Sequence, residues 1–340
     1  MSRRGHLAVV GAGSWGTAFA SVLARNHLPT VLWARRPELA RAINATHRNE
    51  SYLPGIDLPT TLRATGDLED AVGRASTVVV AVPSHAFREK MKEMGPLIGP
   101  DASVVHLTKG VEAETLMRMS EVMIEAGGID PERAGVVSGP NLAKEVARDL
   151  PGATVVACGD PARAERLQRL FHCRTFRVYT NSDVCGVEIG GTTKNVIAIA
   201  AGIADGMGYG DNSKSALITR GLFEITRLGV ALGAQPMTFM GLAGIGDLVA
   251  TCMSTQSRNR HVGEQLGLGR TLDEIIAEMN MVAEGVKSCR AIMGLAGRAG
   301  VDMPIVSRVA RILFEGADPR AMVDDLIERA PEPEFQGIAT

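Results

Sequence analysis

Cysteine is scarce and patternless. There are five, Cys158, Cys173, Cys185, Cys252 and Cys289, and no two have CxxC spacing. An odd set so dispersed excludes a disulfide framework and a cysteine zinc site, and it fits a reducing cytoplasm. Each cysteine reads as a small core residue. Aromatics are only 4% of the 340 residues, and the net charge is −2. With no basic excess, the chain has no general attraction to nucleic acid or an anionic membrane. No stretch of about 18 residues is free of polar side chains, so no membrane span is expected. The opening MSRRGHLAVVGAG starts like a secretion signal, but its apolar run is short and ends in glycines. Repeats and low-complexity segments are absent as well. The expectation is a soluble cytoplasmic protein.

What is present points to layered order. Glycine is frequent, at 38 residues, as where backbone turns tightly or approaches a ligand. Through the first half, β-rich runs fall at His6–Val10, Thr30–Ala34, Thr77–Val82, Ser103–Leu107, Ala134–Val137 and Thr154–Cys158, with a weaker one at Thr175–Tyr179. Helical patterns lie between them at Ser14–Asn26, Glu38–Thr46, Ser84–Met94, Glu114–Ala126 and Ala162–Phe171. This alternation predicts a mostly parallel, doubly wound α/β sheet with helices on both faces. After about Asn181 no strand pattern follows, and helical periods occupy Ser213–Leu232, Thr271–Met281 and Glu284–Ala299. The expected organisation is an α/β domain over 1–180, an all-α domain over 181–330 and a flexible tail over 331–340. Met237, Met240, Met253, Met279 and Met281 read as core filler.

The first strand runs into GAGSWG, in which Gly11, Gly13 and Gly16 form GxGxxG. Following a strand and opening a helix, the motif has the context of a dinucleotide site. Gly11 permits the tight turn, Gly13 admits a pyrophosphate, and Gly16 lets helix and strand pack closely. The helix N-terminus supplies amides and a positive dipole end. An NAD site places an acid at the end of the second strand, but this chain reads VLWARRPE there. Arg35 and Arg36 suit a 2′-phosphate, while Glu38, after Pro37, belongs to the next helix's first turn. NADP(H) is therefore favoured over NAD(H), with solvation of one arginine as the alternative. Gly241–Leu248 and Gly208–Ser215 are glycine-rich but lack the flanking features of nucleotide loops.

In GTTKNVIAIAAGIADG, Lys194 precedes a run of small and apolar residues and reads as the head of a buried helix. Reducing a carbonyl by hydride needs a proton donor, and a partly desolvated lysine suits that task. Asn195 adds an amide that can orient a substrate. On these residues alone, Lys194 is equally a snorkelling surface lysine, Asp247 a helix cap, and Arg258 with Arg260 a solvated pair.

Taken in order, the islands GAGSWGTAFA, YLPGIDLP, VVVAVPS, HLTKG, VVSGPNLAKE, GVEIGGTTKNVIAIAAGIADGMGYGDN, SALITRGL, GLAGIGDLVATC, SRNR and EGVKS resemble the bacterial NAD(P)-dependent glycerol-3-phosphate dehydrogenases. KN alone is shared by several hydroxyacid dehydrogenases; KN, GIGDL and SRNR together are specific. The resemblance implies a Rossmann domain joined to a helical domain, with the site in the cleft between them. It implies reduction of dihydroxyacetone phosphate to sn-glycerol 3-phosphate, the phospholipid backbone. Lys194 would be the proton donor, with Asp247 touching it and the substrate hydroxyls. Arg258, with Ser257 and Asn259, would hold the phosphate. Lys109 would lie near nicotinamide and substrate, and Gly139 and Asn141 would border the substrate. Ser14, Trp15, Arg35, Arg36, Lys109, Ala143, Arg258, Val282 and Glu284 would contact the cofactor. The resemblance is compatible with a homodimer, and the family often accepts both nicotinamides. Asn141 stands where the family more often has Ser or Thr, and Thr192 and Thr193 where it has small or apolar residues. Two other readings stay open: a 3-hydroxyacid-type dehydrogenase, and an NADP-sensing regulator without catalysis.

Overall fold

The computed structural model describes residues 5–279 and 283–320. By their contacts these residues form two compact units. One comprises the described residues of Met1–Thr108 with Met119–Val184, and the other those of Lys109–Arg118 with Cys185–Thr340. The tail at 331–340 lies outside the described residues.

The first unit is an α/β sheet. Its elements are β1 (Leu7–Val10), α1 (Ser14–Arg25), β2 (Thr30–Trp33), α2 (Pro37–Thr46), β3 (Arg63–Thr65), α3 (Leu68–Val72), β4 (Thr77–Val80), α4 (Phe87–Met94), β5 (Ser103–His106), α5 (Met119–Gly127), β6 (Ala134–Ser138), α6 (Ala143–Ala147), β7 (Gly152–Cys158), α7 (Pro161–Phe171) and β8 (Phe176–Asn181). The strand order is β3-β2-β1-β4-β5-β6-β7-β8, parallel throughout except between β6 and β7. The central runs LAVV, TVLW, TVVV and SVVH are buried at every position, as expected of strands covered on both faces. Leu7 pairs with Thr30 on one side and Thr77 on the other, so the chain reverses direction of winding at β1. That topological switch point is where open α/β sheets bind ligands.

The second unit is helical. It contains most of α8 (Val184–Gly206), then α9 (Asp211–Ala231), α10 (Asp247–Met253), α11 (Arg258–Gly267), α12 (Leu272–Glu278), α13 (Glu284–Ala299) and α14 (Pro304–Glu315). Its core gathers Ile197, Ile199, Ile225, Leu228, Phe239, Leu248, Val262, Ile292 and Val306. Helix α8 is buried almost all round, as a central helix must be when no face is polar. Gly202 and Gly206 on α8 face Gly263 and Gly267 on α11, and a Cβ at any of the four would collide with backbone of the facing helix.

Several expectations change. Lys194 does not head its helix: α8 already begins at Val184, because GVEIGG is helical once both its faces are packed. Strand β3, RAT, has no apolar run to announce it and is held by pairing with β2. The expected helix over Glu114–Ala126 begins only at Met119. Residues 109–118 instead form an arm closed by a Val111–Arg118 bridge and belong by contact to the helical unit. Met237, Met240 and Met253 are exposed, at 75%, 60% and 54%, so they do not fill the core. The short 3-10 turn that carries Met237 and Met240, and the last turn of α10, put these side chains outward. Met279 packs against the core, and Met281 lies outside the described residues.

Candidate functional site

The sheet unit presents a nucleotide cradle at the end of β1. Gly11 has φ +121°, and a Cβ there would lie 2.5 Å from the Ala81 carbonyl oxygen. At Gly16 a Cβ would strike the Gly11 carbonyl and lie 2.9 Å from the Ala81 Cβ, so α1 can approach β1 only as glycine. Gly13 has open space around it, and no side chain caps α1 there. The bare first-turn amides and the free space above Gly13 fit a pyrophosphate. Ser14 Oγ donates to the Tyr52 carbonyl at 2.8 Å. Half-buried Trp15 packs its ring on Phe19 and Phe176 at 5.8 and 6.4 Å. Arg35 and Arg36 stand exposed between β2 and α2, and neither forms an ion pair among the described residues. Glu38 lies in the first turn of α2, away from the strand end. Gly139 takes φ +153° after β6, Asn141 Nδ2 donates to the Ala153 carbonyl at 2.9 Å, and Ala143 opens α6.

The helical unit holds a buried charge cluster around Asp247. Before it, Leu242–Gly246 makes a widened π turn, with Gly244 against the Phe239 backbone. Gly190 of α8 sits so close to the Ala243 carbonyl that a Cβ would be 2.7 Å from it. The glycines of GLAGIG thus let this turn lean on α8 and deliver Asp247, 2% exposed, as the first residue of α10. Asp247 does not cap α10 with its side chain. Its Oδ1 accepts from Lys194 Nζ at 2.7 Å, and its Oδ2 accepts from Lys109 Nζ at 2.5 Å. Lys194 Nζ also donates to Thr251 Oγ1 at 2.5 Å, whose hydroxyl donates on to the Asp247 carbonyl at 2.7 Å. Burial pulls the Lys194 ammonium down to about 8; Asp247 opposes that shift and Lys109 adds to it. Cys252, next on α10, has its thiol pushed up to about 12 by burial and stays protonated.

Thr251 is a site residue that motif reading missed. Its signal was in the chain: it lies one helical turn after Asp247, hence on the same face of α10.

A second cluster surrounds the start of α11. Ser257 caps it, its Oγ accepting from the Arg260 N–H at 3.2 Å. Arg258 is exposed at the surface, although protein atoms crowd its head enough to lower its pKa by desolvation, against the charge of Glu284. Asn259 Nδ2 donates to Asn195 Oδ1 at 2.9 Å, and its Oδ1 accepts from the Gly285 N–H at 2.9 Å. Glu284, half-buried, is the first residue of α13; Val282 lies outside the described residues. Within this unit the structure brings together Lys109, Lys194, Asp247 and Thr251, and separately Asn195, Ser257, Arg258, Asn259 and Glu284. Asn259 and Ser257 spend hydrogen bonds on scaffolding, which the expectation of simple phosphate ligands did not include.

Such a cluster can hold an ammonium in a fixed orientation and exchange its proton near neutral pH. Known proteins match throughout. Residues 6–164 match the family model for the N-terminus of NAD-dependent glycerol-3-phosphate dehydrogenase, and residues 183–324 match the model for its C-terminus. The glycerol-3-phosphate dehydrogenase [NAD(P)+] of Streptomyces avermitilis is 54% identical over 327 residues, 96% of this chain and 97% of the relative. That of Pelotomaculum thermopropionicum is 48% identical over 98% of this chain and 96% of its own. The crystal structure of glycerol-3-phosphate dehydrogenase from Coxiella burnetii superposes with a TM-score of 0.91 at 40% identity, covering 96% of this chain and 99% of that one.

Proposed function

The chain belongs to the NAD-dependent glycerol-3-phosphate dehydrogenase family, and from that premise we propose how its residues divide the work. It is an oxidoreductase that interconverts dihydroxyacetone phosphate and sn-glycerol 3-phosphate with NAD(P). Its product supplies glycerophospholipid synthesis. Among the described residues no helix is long and apolar enough to cross a membrane. We assign it to the cytoplasm, where its five free thiols remain reduced.

The observation that carries the mechanism is the fixed lysine. A lysine ammonium has three N–H donors. Lys194 commits one to Asp247 Oδ1 and one to Thr251 Oγ1, leaving one for a substrate oxygen. Gly11, Gly13 and Gly16 would hold the dinucleotide, whose reduced nicotinamide would supply the hydride. Lys194 gives its proton to the oxygen of the carbonyl as that carbon is reduced, and the neutral amine takes the proton back in the reverse reaction. A pKa near 8 makes both forms accessible around neutral pH, as reversible acid–base catalysis requires. Asp247 and Thr251 hold the amine still, so the donor is preorganised. Lys109 shares Asp247 and lowers the basicity of Lys194.

Arg258 holds the phosphate. Its guanidinium fork stands at the N-terminus of α11, where the helix dipole also favours an anion. Anchoring the remote phosphate spends binding energy on orienting the carbonyl. Arg35 and Arg36 favour NADP(H) by meeting a 2′-phosphate, while NAD(H) remains a weaker partner. The test is loss of NADPH absorbance by purified protein. Rapid loss with dihydroxyacetone phosphate and little with dihydroxyacetone is expected. Equal rates with both ketones would contradict the phosphate anchor.

A further inference from the structure

The arm 109–118 leaves the chain between β5 and α5, yet its contacts are with the helical unit. It begins with Lys109 and ends with Arg118, and the two ends lie side by side. Val111 bridges Arg118, and the Glu112 N–H donates to the Met117 carbonyl at 2.9 Å. At the tip, Leu116 takes φ +60°, a left-handed conformation that a leucine adopts only under constraint. Its side chain lies over Gly294 of α13, where a Cβ would lie 3.0 Å from both Leu116 methyl carbons. Val111 is buried in the helical core. At the closing end, Arg118 Nη1 donates to Glu188 Oε2 at 2.8 Å. The Glu188 side chain is 3% exposed and sits on α8, about 9 Å along the axis from Lys194.

A carboxylate buried in the central helix is costly unless paired. No step of the reaction uses Glu188 or Arg118. Their pairing ties the arm's closing end to α8, and the Val111–Arg118 bridge joins that end to the segment that carries Lys109.

We propose that the Arg118–Glu188 pair, assisted by Leu116 on Gly294, anchors the arm to α8 and α13 and thereby places Lys109 on Asp247. Glu188, Arg118 and Leu116 are positioning residues: they act on the reaction through Lys109, which tunes the Lys194 ammonium. This rests on the reading of Lys194 as proton donor. Among the described residues, the charged and titratable groups acting on Lys194 are Asp247 and Cys252 from α10 and Lys109 from the arm. Cys252 stays a neutral thiol, so among the described residues Lys109 is the cation whose displacement changes the field at Lys194. Moving Lys109 away leaves Asp247 to Lys194 alone and raises the pH at which Lys194 loses its proton.

The test uses the full chain with an uncharged replacement of the pair, Glu188→Gln with Arg118→Met, which avoids stranding a buried charge. Leu116→Ala is the second, independent variant. Two readouts are taken on protein shown to be folded by its thermal transition. The first is the rate of reductive methylation of Lys109, located by peptide mass spectrometry. The second is the alkaline limb of kcat for dihydroxyacetone phosphate reduction. In both variants Lys109, whose side chain is now only 19% exposed, should be methylated several-fold faster. The alkaline limb should move up by about one pH unit. Lys109→Met should show the same limb, and adding the pair replacement to Lys109→Met should move it no further. Unchanged methylation overturns the proposal, and so does a further shift in the Lys109→Met background. Faster methylation with an unmoved limb upholds the anchor and overturns the reading of Lys194 on which it rests.

Discussion

Gly263→Ala is a severe change for a single methyl group. Gly263 lies where α11 crosses α8, and a Cβ there would overlap the Ile199 carbonyl oxygen and lie 2.9 Å from the Ile203 nitrogen. A carbon–oxygen contact normally needs roughly 3.3 Å, so the helices must part by on the order of 1 Å. The obstacle is backbone and cannot rotate aside. Overpacking costs about 1–3 kcal/mol, and alanine's better helix propensity returns less than about 1 kcal/mol. The backbone clash puts the cost at the upper end, and a net loss of about 2 kcal/mol lowers Tm by roughly 3 °C in a chain of this size. The displacement also reaches the site. Helix α11 begins with Arg258 and Asn259, and the Asn259–Asn195 bond of 2.9 Å would stretch past hydrogen-bonding range. A misplacement of that size can cost up to about a hundredfold in rate. The assay is a thermal transition together with kcat/KM for dihydroxyacetone phosphate. Gly297→Ala is the control, because a Cβ there meets nothing within 4 Å. Wild-type Tm and kcat/KM in Gly263→Ala would refute the argument that α8 and α11 touch backbone to backbone.

Other outcomes follow from the same geometry. Arg258→Met should raise KM for dihydroxyacetone phosphate by roughly tenfold to a hundredfold, with a smaller effect on kcat, because a charge-assisted anchor worth about 1.5–3 kcal/mol is lost; an unchanged KM would remove Arg258 from the phosphate. Arg35→Ala with Arg36→Ala should weaken NADPH several-fold and leave NADH nearly unaffected, read by fluorescence titration of the two cofactors. Glu224 of α9 accepts from the Ile305 and Val306 N–H groups at 2.7 and 3.2 Å, and burial pushes it up to about 7 from its ordinary 4.5. Because its folded pKa is raised, the stability it contributes is complete below about 4.5 and is lost as pH rises through about 7. Wild type should therefore lose up to about 3 kcal/mol relative to Glu224→Gln between pH 5 and 8 in urea denaturation; a difference independent of pH would contradict that sign.

Much of this was legible in the chain, and the reasons are local. Strands β1, β2, β4 and β5 are short apolar runs closed by turns, and GxGxxG marks where β1 yields to α1. The pairing of RAT with β2 is a tertiary event with no local signature. EAETLMRMS has a helix-forming composition, but burial of Val111, the Leu116 knob and the Arg118–Glu188 pair take residues 109–118 for the arm. Lys194 was conspicuous as a charge in an apolar stretch. Its place within α8 was not, because GVEIGGTT lacks the composition of a helix and becomes one only through packing on both sides. Hydrophobicity alone points Met237, Met240 and Met253 inward, but it does not fix the side of a short turn, and all three are exposed. Asp247 and Arg258 stood out through GIGDL and SRNR, whereas the hydrogen bonds binding Thr251 to Lys194 and Asn259 to Asn195 join residues far apart in the chain.

The account turns on Lys194 as a proton donor whose ammonium is held near 8. The most direct test is kcat as a function of pH in both directions, on wild type and Lys194→Met. Reduction of dihydroxyacetone phosphate should fall as pH rises through about 8, and oxidation of sn-glycerol 3-phosphate should rise through the same point. Lys194→Met should lose both limbs and at least about a hundredfold in kcat while still binding NADPH. Limbs that run the same way in both directions, or a Lys194→Met enzyme that keeps wild-type turnover, would contradict it.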